Sequence, residues 1–255
     1  GHNPATLQKA LDKGAADTVT TSMEEAVKDA DIVVSAVPVE AMESVFTEMA
    51  PFLKSDAVVT DVGSTRQTVI AAARKGLGDK FHQYAPAHPI AGGEMPGVDY
   101  ASADLFDEKV VISTPDEGMD PKVVTFIEEA WRKAGARVQA MSPLQHDLTF
   151  ASVSHLPHVL AYALVDMIAR EENAQEKLKM AGAGFRDFTR IASSSPVMWR
   201  DICLSNREAL SHELKRYRAS LDTLQKYIDE SDGKALESVF ENAVRNRRGL
   251  VFPGK

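Results

Sequence analysis

The sequence has only one cysteine, Cys203, among its 255 residues. A single cysteine excludes an intrachain disulfide and favours a reducing compartment, so we expect the protein to be cytoplasmic. No uninterrupted apolar run reaches the roughly 18 residues that cross a bilayer, and no signal peptide is visible, so no membrane partner is expected. Acidic residues outnumber basic ones 37 to 29, and the net charge of −8 argues against a nucleic-acid partner.

The sequence also lacks the glycine-rich turn with which dinucleotide-binding domains hold pyrophosphate. Such domains open with a strand, a G-x-G-x-x-G turn, a helix and a second strand. No glycines with this spacing precede the first helical pattern, which starts at Asn3. We therefore expect a domain of this type whose first elements are missing from this sequence.

What is present in residues 1–142 is an alternation of short apolar runs with amphipathic stretches. Strands are predicted at 16–20, 31–37, 57–62, 81–89, 109–115 and 136–142, and helices at 3–14, 23–30, 40–53, 65–77 and 121–135. Asn3 followed by Pro4 is typical of a helix start. The order predicts an α/β fold, a Rossmann-like doubly wound parallel sheet with both faces covered, in which 31–37 and 57–62 are buried strands.

Residues 143–248 show helical periodicity and no convincing strand, which predicts that residues 143–255 form an all-α dimerisation and substrate domain. The segment 155–169 is apolar on nearly all sides and is expected to be buried, either in a core or against a partner. Residues 200–228 are predicted to form one long amphipathic helix. The first domain offers too little surface to cover these helices, so we predict an intertwined homodimer in which both subunits contribute to each pocket.

Small and polar residues follow three of the predicted strands. They are SAVP at 35–38, DVGST at 61–65 and PAHPIAGGE at 86–94. The carboxyl ends of parallel strands meet at one edge of a sheet, and ligands bind there. Each segment alone contains residues that are common in turns, but the three together predict a binding site at this edge.

Four segments carry a resemblance to a known family. They are DVGST, HPIAGGE, SHLPH and GFRDFTRIASSSPVMWRD. In this order they resemble the prephenate dehydrogenases, a family of cyclohexadienyl dehydrogenases, over essentially the whole chain. The resemblance implies an NAD- or NADP-dependent enzyme of tyrosine biosynthesis. Such an enzyme oxidatively decarboxylates prephenate to 4-hydroxyphenylpyruvate, or arogenate to tyrosine.

The resemblance implies that His88 is the catalytic residue. Oxidation turns a ring hydroxyl into a carbonyl, so the hydroxyl must lose a proton, and a neutral imidazole accepts protons at neutral pH. Pro89 restricts the backbone of His88 to an extended conformation, which aims the ring. The resemblance implies that Ser64 is a catalytic residue beside it, although Ser64 or Thr65 could equally cap the helix that follows.

The resemblance also implies substrate contacts from the second domain. Arg190 would grip the ring carboxylate, because a guanidinium suits a carboxylate with two hydrogen bonds; the alternative is a surface ion pair. His158 would bind substrate or else be an ordinary helix-start histidine. Trp199 would lie near the substrate side chain or else pack in the core.

Charged residues and strand-end residues complete the predicted site. Glu94, Asp147 and Arg186 resemble an ionic network that gates the pocket, with a solvated charge cluster as the alternative. Cofactor contacts are expected from the sheet edge and the first helix, at Ala36, Val37, Pro38, Val62, Gly63 and Asn3. The residues do not separate NAD from NADP, or prephenate from arogenate.

Two further hypotheses fit parts of the sequence. Another dehydrogenase of this architecture, such as a 3-hydroxyacid dehydrogenase or an imine reductase, usually places a catalytic lysine in the helical domain, where this chain has the FTR arginine and the LPH histidine. A cofactor-free truncated dimerisation module would explain the missing glycine turn. A metal site is not predicted, because the candidate ligands do not have tight zinc spacing: His146, Asp147, His155 and His158.

Overall fold

The computed structural model describes residues 1–92 and 97–250. Its strands are β1 (Ile32–Ser35), β2 (Val58–Asp61), β3 (Tyr84–Ala85), β4 (Ala87–Pro89), β5 (Val110–Ser113) and β6 (Arg137–Ala140). The helices among these strands are α1 (Pro4–Asp12), α2 (Met23–Val27), α3 (Met42–Met49), α4 (Gln67–Leu77) and α5 (Pro121–Lys133). The helices that follow are α6 (Pro143–Phe150), α7 (Leu156–Ala169), α8 (Ala174–Lys179), α9 (Ala183–Thr189), α10 (Pro196–Ser205), α11 (Arg207–Asp229) and α12 (Gly233–Arg248).

The strands form two three-stranded ladders that meet at Pro86. Strands β1, β2 and β3 are parallel, with Ser35 of β1 opposite Asp61 of β2. Strand β4 follows β3 after one residue and pairs antiparallel with β5, which pairs parallel with β6. The ends of β1, β2 and β3 therefore lie at one edge, which agrees with the mostly parallel sheet expected from the sequence.

The core of the first domain lies between the parallel strands and helices α3 and α4. Phe46 of α3, Val69 of α4 and Val59 of β2 have no solvent exposure. Burying a side chain of this size stabilises a fold by about 1.5–3 kcal/mol. The Tyr84 ring meets Phe46 edge-on, with centroids 5.6 Å apart. This packing makes a firm support beneath the edge at which β2 and β3 end.

Two predictions about strands are wrong. Residues 16–20 form no strand, because no described strand lies beside them to pair with; the Thr20 hydroxyl donates to Glu25 instead. Strand β1 is not buried, since Ile32 and Val34 are 41% and 51% exposed. It lies at the edge of the described sheet, and the face that carries these two side chains is uncovered in the described residues.

Helix α6, a π-helical turn at Ala151–His155 and helix α7 follow one another without a break. This continuous helix, Pro143–Ala169, is long and apolar enough to cross a membrane by length and composition. Polar residues interrupt it, so its sequence contains no uninterrupted apolar run of that length. An interface helix passes the same test, because it is also apolar on more than one side. Within the described chain, the buried residues of α7 are Leu156 and Ala161. The expected burial of 155–169 is therefore left largely to a partner.

The predicted long helix over 200–228 is two helices. Helix α10 ends at Ser205 and α11 begins at Arg207. Between them the Asn206 side chain turns inward and donates to the carbonyl of Asp147 at 2.8 Å. The helix is interrupted at Asn206 although the helical periodicity continues, because this buried hydrogen bond to a distant carbonyl is the more favourable arrangement.

Candidate active site

Strand β4 carries His88 at the carboxyl edge of the parallel strands. Its pairing with β5 sets His88 opposite Ile112. The imidazole is 9% exposed and lies 5.0 Å, ring to ring, from Phe150 of α6. Its Nδ1 is 2.8 Å from Nε2 of His146, also on α6. Side chains of the sheet and of the helical half therefore meet at this ring.

A carboxylate continues the contact between the two imidazoles. Nδ1 of His146 lies 2.9 Å from Oδ1 of Asp147. The His146 ring stacks on Phe150, with centroids 4.4 Å apart and an angle of 25°. His146 and Asp147 are 0% and 1% exposed. His88, His146 and Asp147 thus form a buried hydrogen-bonded series, the His–His–Asp row.

Asp147 also closes the N-terminus of α4. Its Oδ1 accepts from the amide of Arg66 at 2.8 Å, and its Oδ2 accepts from the amide of Gln67 at 2.9 Å. Burial raises the pKa of Asp147, but hydrogen bonds from His146 and from these two amides outweigh it, so the pKa falls below its ordinary value. The carboxylate is therefore ionised and fully engaged, which does not fit the predicted role in a gate.

Helix α4 has no cap from the residues that precede it. The alternative interpretation of Ser64 or Thr65 as its cap is therefore wrong, since Asp147 fills that role. The Thr65 hydroxyl lies instead 2.7 Å from the hydroxyl of Ser205 on α10. Ser64 is half-buried in the turn after β2, and no hydrogen bond joins it to His88 in the described part of the chain.

A buried ion pair supports the same edge. The guanidinium of Arg66, which has no solvent exposure, donates to both carboxylate oxygens of Asp61 at 2.7 and 3.1 Å. The Tyr84 hydroxyl donates to the same carboxylate. Arg66 also donates to the carbonyl of Ala87 at 3.3 Å, one residue before His88. The pair ties the end of β2, the start of α4 and strand β4 together.

The surroundings keep the His88 imidazole neutral at neutral pH. Burial, then the charge of Arg66, and then His146 and His155 lower the pKa of His88 well below its ordinary value of 6.5. Burial also lowers the pKa of His146, against the opposing hydrogen bond with Asp147. A neutral imidazole keeps a lone pair on one nitrogen, so His88 can accept a proton from a ligand.

His158 of α7 and Trp199 of α10 form a second aromatic group. Their rings stack with centroids 3.6 Å apart and an angle of 19°. Nδ1 of His158 lies 2.9 Å from the carbonyl of Ser154. A carbonyl only accepts, so Nδ1 carries the hydrogen and the lone pair of the neutral ring is on Nε2. The indole N–H of Trp199 is buried without a hydrogen-bond partner among the described residues.

Comparison with known proteins identifies the family. Residues 1–140 match the family model for the nucleotide-binding domain of prephenate dehydrogenase. Residues 142–242 match the model for the prephenate dehydrogenase dimerization domain. The chain belongs to the prephenate dehydrogenase family. The family and the fold expected from the sequence motifs are confirmed.

Several prephenate dehydrogenase relatives are similar over nearly the whole chain. A cyclohexadienyl dehydrogenase of Zymomonas mobilis is 38% identical over 95% of this chain and 82% of its own length. A prephenate dehydrogenase of Bacillus subtilis is 35% identical over 96% of this chain and 67% of its own length. The crystal structure of Aquifex aeolicus prephenate dehydrogenase with hydroxyphenyl propionate and NAD+ superposes with a TM-score of 0.89, at 35% identity, over 97% of this chain and 87% of that one.

Most of the predicted cofactor residues lie just beyond the ends of β1 and β2. They are Ala36, Val37 and Pro38 after β1, and Val62 and Gly63 after β2. The buried hydroxyl of Ser35, the last residue of β1, has no hydrogen-bond partner among the described residues. Asn3 caps α1, since its Oδ1 accepts from the amides of Ala5 and Thr6. Its side-chain NH2 group is therefore the part left for a ligand.

The predicted substrate residues are distributed over two places. His158 and Trp199 are stacked together. Arg186 on α9 and Arg190, which opens the 3₁₀ turn Arg190–Ser193, are exposed on the surface of the single chain. That turn packs against α7, the helix that carries His158. Glu94 lies outside the described residues.

Sequence reasoning missed the roles of His146 and Arg66. The sequence offers His146 only as a candidate metal ligand, and within residues 1–92 and 97–250 no three His, Cys, Asp or Glu side chains are grouped as metal ligands. An adjacent His146–Asp147 pair one turn into a capped helix was the available signal. Arg66 gave no signal, because a basic residue at a helix start is ordinarily solvated.

Proposed function

We propose that this protein is an NAD(P)-dependent dehydrogenase that oxidatively decarboxylates prephenate or arogenate in tyrosine biosynthesis. The observation that carries the proposal is His88, a neutral and buried imidazole at the carboxyl edge of the sheet, hydrogen-bonded through His146 to Asp147. An imidazole in this state is suited to take a proton from a ring hydroxyl. Family membership supplies the reaction class.

His88 acts on the hydroxyl at the ring carbon that is oxidised. Bound NAD+ or NADP+ supplies the hydride acceptor. As the C–H bond at this carbon breaks, the O–H bond breaks too and its proton passes to His88, leaving a ring carbonyl. The C–C bond to the ring carboxylate then breaks, its electron pair enters the ring and carbon dioxide leaves. The oxygen becomes a phenolate and takes the proton back from His88. Ser64, at the end of β2, assists by hydrogen-bonding the same oxygen.

The helical half binds the rest of the substrate. Arg190 holds the ring carboxylate. An ion pair with Arg190 also stabilises the ring carboxylate in the ground state, so Arg190 serves to position and select the substrate. Aromatisation of the ring drives the loss of carbon dioxide. The indole N–H of Trp199 and Nε2 of His158 face the side chain as one donor and one acceptor. Arg186 takes part in an ionic network that gates the pocket; Glu94, its expected partner, lies outside the described residues.

The strand ends fit a dinucleotide. The Ser35 hydroxyl is a buried group without a partner among the described residues, at the edge where the ribose would lie. The residues that would hold the cofactor are Ala36, Val37, Pro38, Val62 and Gly63, with the NH2 group of Asn3 toward the adenine ribose.

The functional unit is a cytoplasmic homodimer of two-domain chains. Residues 1–142 form the dinucleotide-binding domain and residues 143–255 the dimerisation and substrate domain. The exposed apolar side chains of the helical half support this assembly; on α6 to α10 they include Leu148, Val153, Met167 and Leu204, each at least 49% exposed. Their burial between two copies would leave Arg190 near the interface rather than in open solvent.

The function is tested by crossing both substrates with both cofactors. Purified protein with its natural N-terminus is assayed for reduced cofactor and for the aromatic product with prephenate or arogenate, and with NAD+ or NADP+. We expect turnover in at least one combination. We expect His88→Asn to lose most of the turnover, by at least 100-fold, while it keeps substrate affinity.

Absence of turnover in all four combinations would refute the proposed function. Full turnover by His88→Asn would remove only the assignment of the base. His82→Asn is the matched control, because His82 is an exposed histidine on the 3₁₀ helix Gly78–Gln83, outside the proposed site.

A further inference from the structure

His88 can take a proton only if the nitrogen that faces the substrate carries the lone pair. We propose that His146 and Asp147 are positioning residues that fix the tautomer of His88. They hold Nδ1 protonated and leave Nε2 free to accept. The proposal rests on the proposed role of His88 and adds the two side chains that make this role possible.

The first step is at the carboxylate end of the row. The amides of Arg66 and Gln67 can only donate, and both point at Asp147. These bonds satisfy an ionised carboxylate, which can only accept. His146 Nδ1, at 2.9 Å from Oδ1, must therefore carry a hydrogen. The opposite tautomer would set a nitrogen lone pair against a carboxylate oxygen.

The second step passes the constraint to His88. With its hydrogen on Nδ1, neutral His146 has its lone pair on Nε2. That lone pair is 2.8 Å from Nδ1 of His88, so His88 must be the donor in this contact. The hydrogen of neutral His88 is then fixed on Nδ1, and Nε2, on the far side of the ring, holds the lone pair. The tautomer of His88 is therefore set by Asp147, through His146.

The row also offsets the charge that proton transfer creates. Once Nε2 is protonated, the bond from Nδ1 to His146 becomes charge-assisted, and Asp147 supplies a negative charge at the end of the row. Among the described residues, the other charged or titratable groups that act on His88 are Arg66 and His155. Arg66 is itself paired with Asp61, so its positive charge is partly compensated.

Packing keeps the three groups in line. The His146 ring stacks on Phe150 and has no solvent exposure. Asp147 is fixed by the start of α4 and, through its carbonyl, by Asn206. His146 and Asp147 belong to the helical half and His88 to the sheet. The orientation of the two halves therefore sets the orientation of the base.

The tautomer is measured directly in the unmodified protein. Full-length protein labelled with ¹⁵N-histidine is studied by long-range ¹H–¹⁵N correlation at pH 7.5, and the His88 signals are assigned from their loss in His88→Gln. We expect a protonated Nδ1 and an unprotonated Nε2. A His88 ring with its hydrogen on Nε2 would overturn the proposal, and this result needs neither a folded His146 variant nor enzymatic activity.

A variant then tests the consequence for turnover. His146→Phe keeps the stack on Phe150 but removes the acceptor. We expect mixed tautomers of His88 and a fall in kcat of roughly 10- to 100-fold, with KM changed less than about 2-fold. His155→Phe is the matched control, since His155 is equally buried but is not hydrogen-bonded to His88.

The control separates positioning from packing. We expect His155→Phe to lower the melting temperature as much as His146→Phe does, while the His88 tautomer stays single. An unchanged tautomer and unchanged kcat in His146→Phe would refute the positioning role. If the wild-type protein turns over neither substrate, the proposed function fails, and the ¹⁵N spectrum still decides whether the row fixes the tautomer.

Discussion

The indole nitrogen of Trp199 is a single buried donor whose partner is not found among the described residues. Leaving a buried N–H unpaired costs about 1–3 kcal/mol, so a native site normally supplies a partner. The stack on His158 holds the indole in one orientation. A ligand oxygen at this position would satisfy the donor, and both prephenate and arogenate carry carboxylate oxygens on the side chain.

Replacing Trp199 by phenylalanine separates the hydrogen bond from the stack. We expect Trp199→Phe to raise KM about 2- to 10-fold, the equivalent of one hydrogen bond of roughly 0.5–1.5 kcal/mol. Any fall in melting temperature should reflect only the packing lost with the smaller ring, because the indole N–H has no hydrogen-bond partner among the described residues. Steady-state kinetics and thermal melts measure both. Trp131→Phe, on α5 against Phe106, is the control and should leave KM unchanged. An unaltered KM in Trp199→Phe would show that the indole N–H does not contact substrate.

At this scale, the sequence predicted residues that stand in contiguous motifs and missed those defined by distant contacts. His88 and Trp199 lie in runs that carry the family resemblance. The partner of His88, His146, is 58 positions away, and the amide of Arg66 is 81 positions from the carboxylate that caps it. Neither distance leaves a local pattern. The burial of Asp147 is visible only in the folded structure, because the backbone amides that bind its carboxylate belong to the other half of the chain.

At the scale of elements, the turn between β2 and α4 depends on Gly63. A Cβ atom added there would lie 2.7 Å from a guanidinium nitrogen of Arg66, 3.0 Å from Asp61 and 3.0 Å from Met42. These three side chains are fully buried, and two of them form the ion pair, so none can move away cheaply. The glycine lets the backbone pass close to the pair, and its amide donates to Asp61 at 2.7 Å.

We therefore expect Gly63→Ala to destabilise the protein by about 1–3 kcal/mol, the usual cost of overpacking. Gly184→Ala is a matched control, because no atom lies within 4 Å of an added Cβ at this position in α9. The control should be neutral or gain about 0.5–1 kcal/mol, as alanine favours a helix. Urea unfolding of both variants measures the difference. Equal stabilities would show that the turn adapts to a side chain.

The elements themselves divide into those that local sequence specifies and those that it does not. Helix α1 begins where Asn3 and Pro4 predict, because capping is a contact between neighbours. The strand predicted at 16–20 is absent, since a strand needs an adjacent strand and its own residues cannot supply one. The break at Asn206 is equally invisible in the sequence, because the carbonyl that attracts its amide lies 59 positions earlier.

At the scale of the whole molecule, the sheet and the helical half are joined beside the site. The Asp147 carboxylate closes α4, the Thr65 hydroxyl bonds that of Ser205, and Thr68 donates to the carbonyl of Ser205 at 2.9 Å. All of these contacts lie within two turns of the start of α4. The geometry of the site therefore depends on the packing of the two halves. A substitution that weakens this packing should also displace the side chains of the site.

This junction encloses histidines that the folded protein keeps neutral. Burial, together with the charges of His146 and His158 and against that of Asp147, lowers the pKa of His155 to about 4. Burial likewise lowers the pKa of His158. An unfolded chain binds a proton at each of these rings as the pH falls through 6.5, whereas the folded chain does not until a lower pH. Their contribution to stability is present above pH 6.5 and is lost as the pH falls below it.

The free energy of unfolding should therefore decrease between pH 6.5 and about 4, by up to about 1.4 kcal/mol per pH unit for each such ring. For His155 alone, lowering the pH from 7 to 5.5 should remove about 1 kcal/mol, because its folded-state pKa is about 4. His155→Gln should reduce the pH dependence by that amount, even if it is less stable at pH 7. Urea unfolding at equal protein concentration measures the slopes, and an identical slope in His155→Gln and wild type would show that His155 takes up its proton equally in the folded and unfolded chains.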